Sequence, residues 1–229
     1  MRKMLNKLLS KLKGSPFEID NSIPLSYLLA LSLSRGFMLC RGFFSGITNG
    51  GMFFVGKKVT IKARSKIKVG RLVTINHGCY IDALSTNGIL LGNNVSLGKK
   101  VTIECTGNLQ CLGKGMKVGN NVGLGADNFF GCAGGIEIGD DTIMGNFISF
   151  HAENHNYNDP VIPIRLQGVT QHGIKVGKNC WIGSKATILD GAVIEDGCII
   201  AAGSVVKGGV YKADGIYGGV PARFIKQRF

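Results

Sequence analysis

The sequence predicts an all-β chain, a triangular parallel β-solenoid of six-residue units preceded by a helical segment, and three observations carry that prediction. From Val55 onward an aliphatic residue returns every six positions. The repeats fall into groups of three, with extra residues only between groups. Glycine is abundant, 35 of 229 residues, and is spread without the three-residue period of collagen, which marks many tight turns. A hydrophobic fraction of 45% at this length suits one main domain with an appendage.

Residues 1–50 read as the appendage. Met1, Met4, Leu5, Leu8, Leu9 and Leu12 stand at helical spacing, and Arg2, Lys3, Lys7, Lys11 and Lys13 take the remaining surface, so a basic amphipathic helix is expected, ended by Gly14, Ser15 and Pro16. A second apolar segment runs from Ile23 to Ser34 and continues past Arg35 and Arg41 into Phe43 and Phe44. A bilayer-spanning helix needs about 20 consecutive apolar residues, and no uncharged run here is that long. Two readings of residues 1–44 stand side by side: peripheral attachment to an anionic membrane surface, and packing on the main domain or on a neighbouring subunit. No small-x-small cleavage site follows the apolar run, so a signal peptide is not expected.

Residues 51–229 read as the solenoid. Its clearest block is Val176, Ile182, Ile188, Ile194, Ile200 and Val206, with Cys180, Ala186, Ala192, Cys198, Ser204 and Val210 four positions later in each unit. The frame recurs upstream as Val69, Ile75, Ile81; Leu91, Leu97, Ile103; Val118, Leu124, Phe130; and Ile138, Met144, Phe150. Three hexads make one triangular turn, so the extra residues around Asn87 and Gly88, in 107–117, in 131–135 and in the long loop 151–173 belong at corners. Glycine and asparagine recur because corners need positive φ. Residues 207–229 are expected to cap the far end, as the N-terminal segment caps the near one.

The seven cysteines are an odd number with no Cys-x-x-Cys pair, which favours reduced thiols, as in a cytosol, over a disulfide framework or a zinc site. They read as small core fillers, and Cys180 and Cys198 should stack one turn apart. A net charge of +13 calls for an anionic partner: nucleic acid, phospholipid headgroups or a phosphorylated small molecule. Nucleic acid is not expected, since no recognition helix, finger or aromatic platform accompanies the charge.

The loop Glu153-Asn-His-Asn-Tyr-Asn-Asp-Pro160, leading through Pro163-Ile-Arg-Leu-Gln-Gly168 to Gly173-Ile-Lys-Val-Gly177, is followed by Cys180-Trp-Ile-Gly-Ser184, Ala201-Ala-Gly-Ser-Val-Val206 and Gly218-Gly-Val-Pro-Ala-Arg223. From about Ile136 to Ile225 this resembles the hexapeptide-repeat acyltransferases, and within them the O-acetyltransferases of capsule, colanic-acid and lipopolysaccharide sugars and the maltose and galactoside acetyltransferases. The resemblance implies a left-handed β-helix, a homotrimer, and acetyl-CoA held between adjacent prisms in the cytoplasm. It implies acetyl transfer to a sugar hydroxyl of a surface-polysaccharide unit or precursor, with a small-molecule acceptor or a non-catalytic scaffold as the alternatives.

His155 matches the family's catalytic histidine, whose neutral imidazole would take the hydroxyl proton; His151 is its competitor, while His77 and His172 match no motif. Glu153 and Asp159 are candidates to orient the imidazole. Trp181, Ser184, Ala202 and Gly203 match positions that line the coenzyme's pantetheine arm in relatives. Lys207 and Arg223 are expected at its phosphates, with Lys212 as a substitute because the family's Thr-Lys-Asp after the last Val-Val is absent here. Asp127, Asn128 and Tyr157 are the expected acceptor contacts. No metal is implied: the zinc enzymes built on the same solenoid need three convergent histidines, and the four present lack that spacing.

Overall fold

The computed structural model describes residues 2–13 and 16–229 and divides the chain into two compact units, residues 1–37 and 38–229. The boundary falls inside the second helix, earlier than the division at residue 50 expected from the repeat. The proposed helix stop at Gly14 and Ser15 lies outside the described residues.

In the first unit, helix α1 (Arg2–Lys13) carries no acidic residue in its first turn. The chain then doubles back along it. The Asn6 amide oxygen accepts the Ile19 N–H at 3.1 Å, the Ser10 hydroxyl accepts the Phe17 N–H at 2.9 Å, and the Arg2 guanidinium donates to the carbonyl of Ile23. Met4 and Leu8 remain exposed. Helix α2 (Leu25–Phe43) exposes Leu25, Tyr27, Leu29, Leu31, Leu33 and Phe37, and buries Leu28. Among the described residues no helix is long and apolar enough to cross a membrane.

The second unit begins with the last turns of α2. The Arg41 Nε donates to the Val55 carbonyl at 2.9 Å, and a Cβ on Gly42 would lie 2.3 Å from the Phe53 carbonyl oxygen, so the helix end presses onto the first coil. From Thr48 the strands of the described chain, apart from one two-stranded ribbon in the long loop, sort into three stacked sheets, one per side of a prism. The first face runs from Thr48–Asn49 to Gly209–Tyr211. The second runs from Phe53–Val55 to Gly215–Gly219. The third runs from Thr60–Lys62 to Val205–Val206. Successive turns pair in parallel and in register, which is what a strict six-residue repeat demands: each aliphatic position meets its equivalent one turn on. On the third face the inward column is Ile61, Ile81, Ile103, Phe130, Phe150, Ile188 and Val206, with Phe130 and Phe150 stacked at 5.0 Å.

The coil continues through Gly209–Tyr211 and Gly215–Gly219, so within 207–229 only the strand Ala222–Gln227 reverses, adding antiparallel to the second face. Tyr211, Tyr217 and Phe224 meet edge to face beneath it. Corner chemistry is divided between two roles. Asn179, at φ 53°, holds the left-handed position, and lysine, leucine or aspartate holds it at other corners. Gly139 is needed for another reason: a Cβ there would lie 2.6 Å from the Gly177 carbonyl carbon of the next turn. Many of the recurrent glycines thus mark close approach of stacked corners rather than positive φ.

All seven cysteines are free. Cys180 and Cys198 are buried one turn apart, as are Cys105 and Cys132, and Cys79 is buried at the opposite edge of the third face, but Cys40 and Cys111 are exposed and are not core fillers.

Candidate active site

Insertions into the coil occur at one corner, where the third face turns into the first: 63–66, 83–88, 105–115, 132–135 and 152–173. The opposite edge of the third face stays regular and bonds each turn to the next. Asn128, buried there, donates from its amide to the Gly145 carbonyl at 3.0 Å and accepts the Ile148 N–H at 2.8 Å. Its carboxamide is therefore used within the corner and is not presented to an acceptor. Asp127 precedes it in the left-handed conformation at φ 57°.

The long loop leaves the third face after Ser149–His151 and is itself ordered by hydrogen bonds. Asn154–His155 pairs antiparallel with Val169–Thr170, placing His155 opposite Val169. Beyond this ribbon the Asp159 carboxylate accepts the N–H groups of Val161 and Ile162 at 2.8 and 3.0 Å, and those donors hold its carboxyl below the usual range. Asp159 therefore shapes the loop tip rather than orienting a histidine. The Gln167 amide closes the tip, donating to the carbonyls of Asp159 and Ile162. The tip exposes Tyr157, Val161, Ile164 and Leu166 to solvent.

Re-entry is fixed by Asp190, whose side chain is fully buried. Its carboxylate accepts the N–H groups of His172 and Gly173 at 3.0 and 2.7 Å and meets the His172 ring Nδ1 at 2.9 Å. His172 is thereby part of the latch. His77 is structural too, its Nδ1 accepting the Lys57 N–H at 2.7 Å.

Between the loop and the third face lies a hollow of about 290 Å³, lined by Glu104, Phe129, Gly131, His151, Glu153 and His155 among others. Strand register explains it. Glu104, Gly131 and His151 are successive members of one outward column, so an absent side chain separates a carboxylate from an imidazole. Rungs are about 4.8 Å apart, which puts those two backbones about 10 Å from each other. The Phe129 ring packs on His151 with centroids 5.6 Å apart, and the Glu153 carboxylate accepts from the Gln171 amide at 2.7 Å. The structure thus brings His155, His151 and Glu153 together and adds Glu104, Phe129 and Gly131, which the sequence reading did not select.

The other expected residues lie elsewhere. Trp181 is on the second face, 52% exposed, in a column with Ile143 and Ile199. Ser184, Ala202 and Gly203 occupy the regular edge, where the Ser184 hydroxyl accepts the Asn146 N–H at 3.2 Å and the Gly203 N–H donates to the Ser184 carbonyl. Lys207 is exposed at the inserted corner, its carbonyl accepting the Tyr211 hydroxyl. Arg223 is exposed on the final strand opposite Gly218, and Lys212 is paired with Glu195 at 3.3 Å. None of these residues lines the hollow. Among the described residues no group of three or more His, Cys, Asp or Glu is placed to hold a metal ion.

Residues 173–208 match the family described as bacterial transferase hexapeptide (six repeats). The probable acetyltransferase Rv3034c of Mycobacterium tuberculosis is 29% identical over 144 residues, covering 62% of this chain and 39% of that protein, so the chain spans about two fifths of the length of this curated relative. Among solved structures, AntD, an N-acyltransferase from Bacillus cereus in complex with dTDP and 3-hydroxybutyryl-CoA, superimposes with a TM-score of 0.52 at 22% identity, over 82% of this chain and 87% of that one. A single-site mutant of the same enzyme, in complex with dTDP and coenzyme A, gives 0.53 at 23% identity, over 80% and 83%. The fold is the left-handed parallel β-helix of hexapeptide repeats.

Proposed function

We propose that this hexapeptide-repeat β-helix is an acetyl-CoA-dependent O-acetyltransferase that acts on a sugar hydroxyl of a surface-polysaccharide unit or precursor. The observation that carries the reading is the hollow in which the loop sets His155 beside His151 on the irregular edge of the coil. An alcohol becomes a competent nucleophile only as its proton is removed, and a neutral imidazole does this near pH 7. His155 takes the proton while the acceptor oxygen attacks the thioester carbonyl. The tetrahedral adduct collapses, the carbon–sulfur bond breaks, and the imidazolium returns the proton to the departing thiolate. One ester and one coenzyme thiol result, without an acyl-enzyme. The transfer chemistry agrees with the relatives, one described as a probable acetyltransferase and the other crystallised with coenzyme A or an acyl-CoA.

The co-substrate would lie along Trp181, Ser184, Ala202 and Gly203, with Lys207 and Arg223 near its phosphates. These residues fit a long, partly apolar anion: an exposed indole, an edge of small side chains, and two exposed cations. They do not share a hollow with His155 in one chain, so the reading includes a homotrimer in which the loop of one subunit completes the groove of the next. The exposed apolar tip at Val161, Ile164 and Leu166 suits that seat. The N-terminal unit suits peripheral attachment to the inner, cytoplasmic membrane face, where α1 offers cations beside the exposed Met4 and Leu8.

Incubation with acetyl-CoA and a sugar panel tests the reading. One thiol should be released for each alkali-labile sugar ester formed. Thiol release with no ester on any sugar would contradict it.

A further inference from the structure

The hollow holds more than its histidines. Its outward column reads Lys62, Asp82, Glu104, Gly131, His151 and Leu189. The cation nearest in that column is already engaged, since the Lys62 ammonium lies 3.8 Å from Asp82 and over the Tyr80 ring. Glu104 takes part in no ion pair among the described residues and faces the hollow. Glu153 adds a second carboxylate, and among the described residues no lysine or arginine lines the space. Gly131 forms the floor. A Cβ there would lie 3.2 Å from the Phe129 ring edge and 3.4 Å from the Phe150 carbonyl oxygen, so any side chain would crowd the aromatic wall as well as fill the gap.

A half-buried aromatic ring, a vacant rung and an unpaired carboxylate form a site for a ring with one apolar face and hydroxyls at its rim. A carboxylate accepts hydrogen bonds from neighbouring hydroxyls, and charge-assisted bonds of this kind are roughly twice as strong as neutral ones. The same carboxylates repel an anion brought within contact distance.

We propose that Glu104, Gly131 and Phe129 form the acceptor subsite, and that they select an uncharged sugar ring over one bearing a carboxylate. This rests on the hollow being the site of acetyl transfer. Phe129 stacks on the C–H face of the ring, Gly131 gives it room, and Glu104 accepts from its hydroxyls, leaving a further hydroxyl toward His151 and His155. Expected contacts at Asn128 are replaced by these.

The test uses pairs of methyl glycosides of gluco, galacto and manno configuration, each pair differing only in a C5 hydroxymethyl or carboxylate group, with acetyl-CoA as donor. The wild-type protein should favour the uncharged member by about tenfold or more in kcat/KM. Glu104→Ala should raise KM for that member about tenfold while the KM for acetyl-CoA stays within about twofold. Glu104→Gln, which keeps the shape and removes the charge, should narrow the discrimination, and Gly131→Val should abolish acceptor use while acetyl-CoA still binds. Equal use of both members, or an unchanged acceptor KM in Glu104→Ala, overturns the subsite alone. Transfer to none of the glycosides by protein that binds acetyl-CoA overturns the subsite together with the assigned reaction.

Discussion

The two edges of the third face are built from the same repeat and behave differently. At the regular edge each corner bonds its successor: Asn128 to Gly145 and Ile148, Asn146 to Ser184, Ser184 to Gly203. At the other edge five turns carry insertions, and there the polar groups are either latched, as Asp190 is, or left facing a hollow, as Glu104 is. A stacked repeat uses its corner side chains to hold the stack, so chemistry is free to collect only where the repeat is interrupted.

The sharpest way to break this comparison is to mix subunits. If the loop of one copy serves the groove of the next, then inactive His155→Ala and inactive Trp181→Ala proteins should regain measurable turnover when co-assembled, up to about a quarter of sites being intact by random mixing. Mixtures that stay inactive would place the whole site within one chain. Next in size is the contrast of anchors. Asp190→Ala leaves two part-buried N–H groups without their acceptor, each hydrogen bond to the charged carboxylate worth at most about 1.5–3 kcal/mol. The loop should become protease-sensitive and the acceptor KM should rise, with the coil's circular dichroism retained. Asn128→Ala should lower thermal stability by a comparable amount and leave the acceptor KM unchanged. An equal effect of both on KM would erase the distinction between the edges.

Smaller effects follow from the thiols. Burial pushes Cys79 and Cys180 up from 9.0 to about 11. A thiol that titrates later in the folded state contributes stability that is intact below pH 9 and declines as pH rises from about 9 toward 11. Denaturant midpoints measured across that window should fall, less so in a Cys180→Ala protein. At pH 8 a thiol reagent should modify Cys40 and Cys111 rapidly and the five buried cysteines only on unfolding.

The coil was legible from its period because the six-residue frame fixes which residues face inward, and Phe130, Phe150 and Ile188 stack as that frame requires. The loop's limits were legible as an interruption, and His155 was visible through its motif. Glu104, Phe129 and Gly131 were hidden because insertions separate Glu104 from His151 by a chain distance that is no multiple of eighteen, and only the pairing reveals that they share a column. Asn128 misled for the opposite reason: asparagine beside a corner looks available until the next turn is seen to use both ends of its amide.

The central claim is that the irregular edge carries the base. Initial rates of acetyl transfer for wild type, His155→Ala and His151→Ala, with matching circular dichroism, test it directly. The expected result is a loss of about 10²- to 10⁴-fold in His155→Ala and a smaller loss in His151→Ala; wild-type turnover in His155→Ala would contradict it.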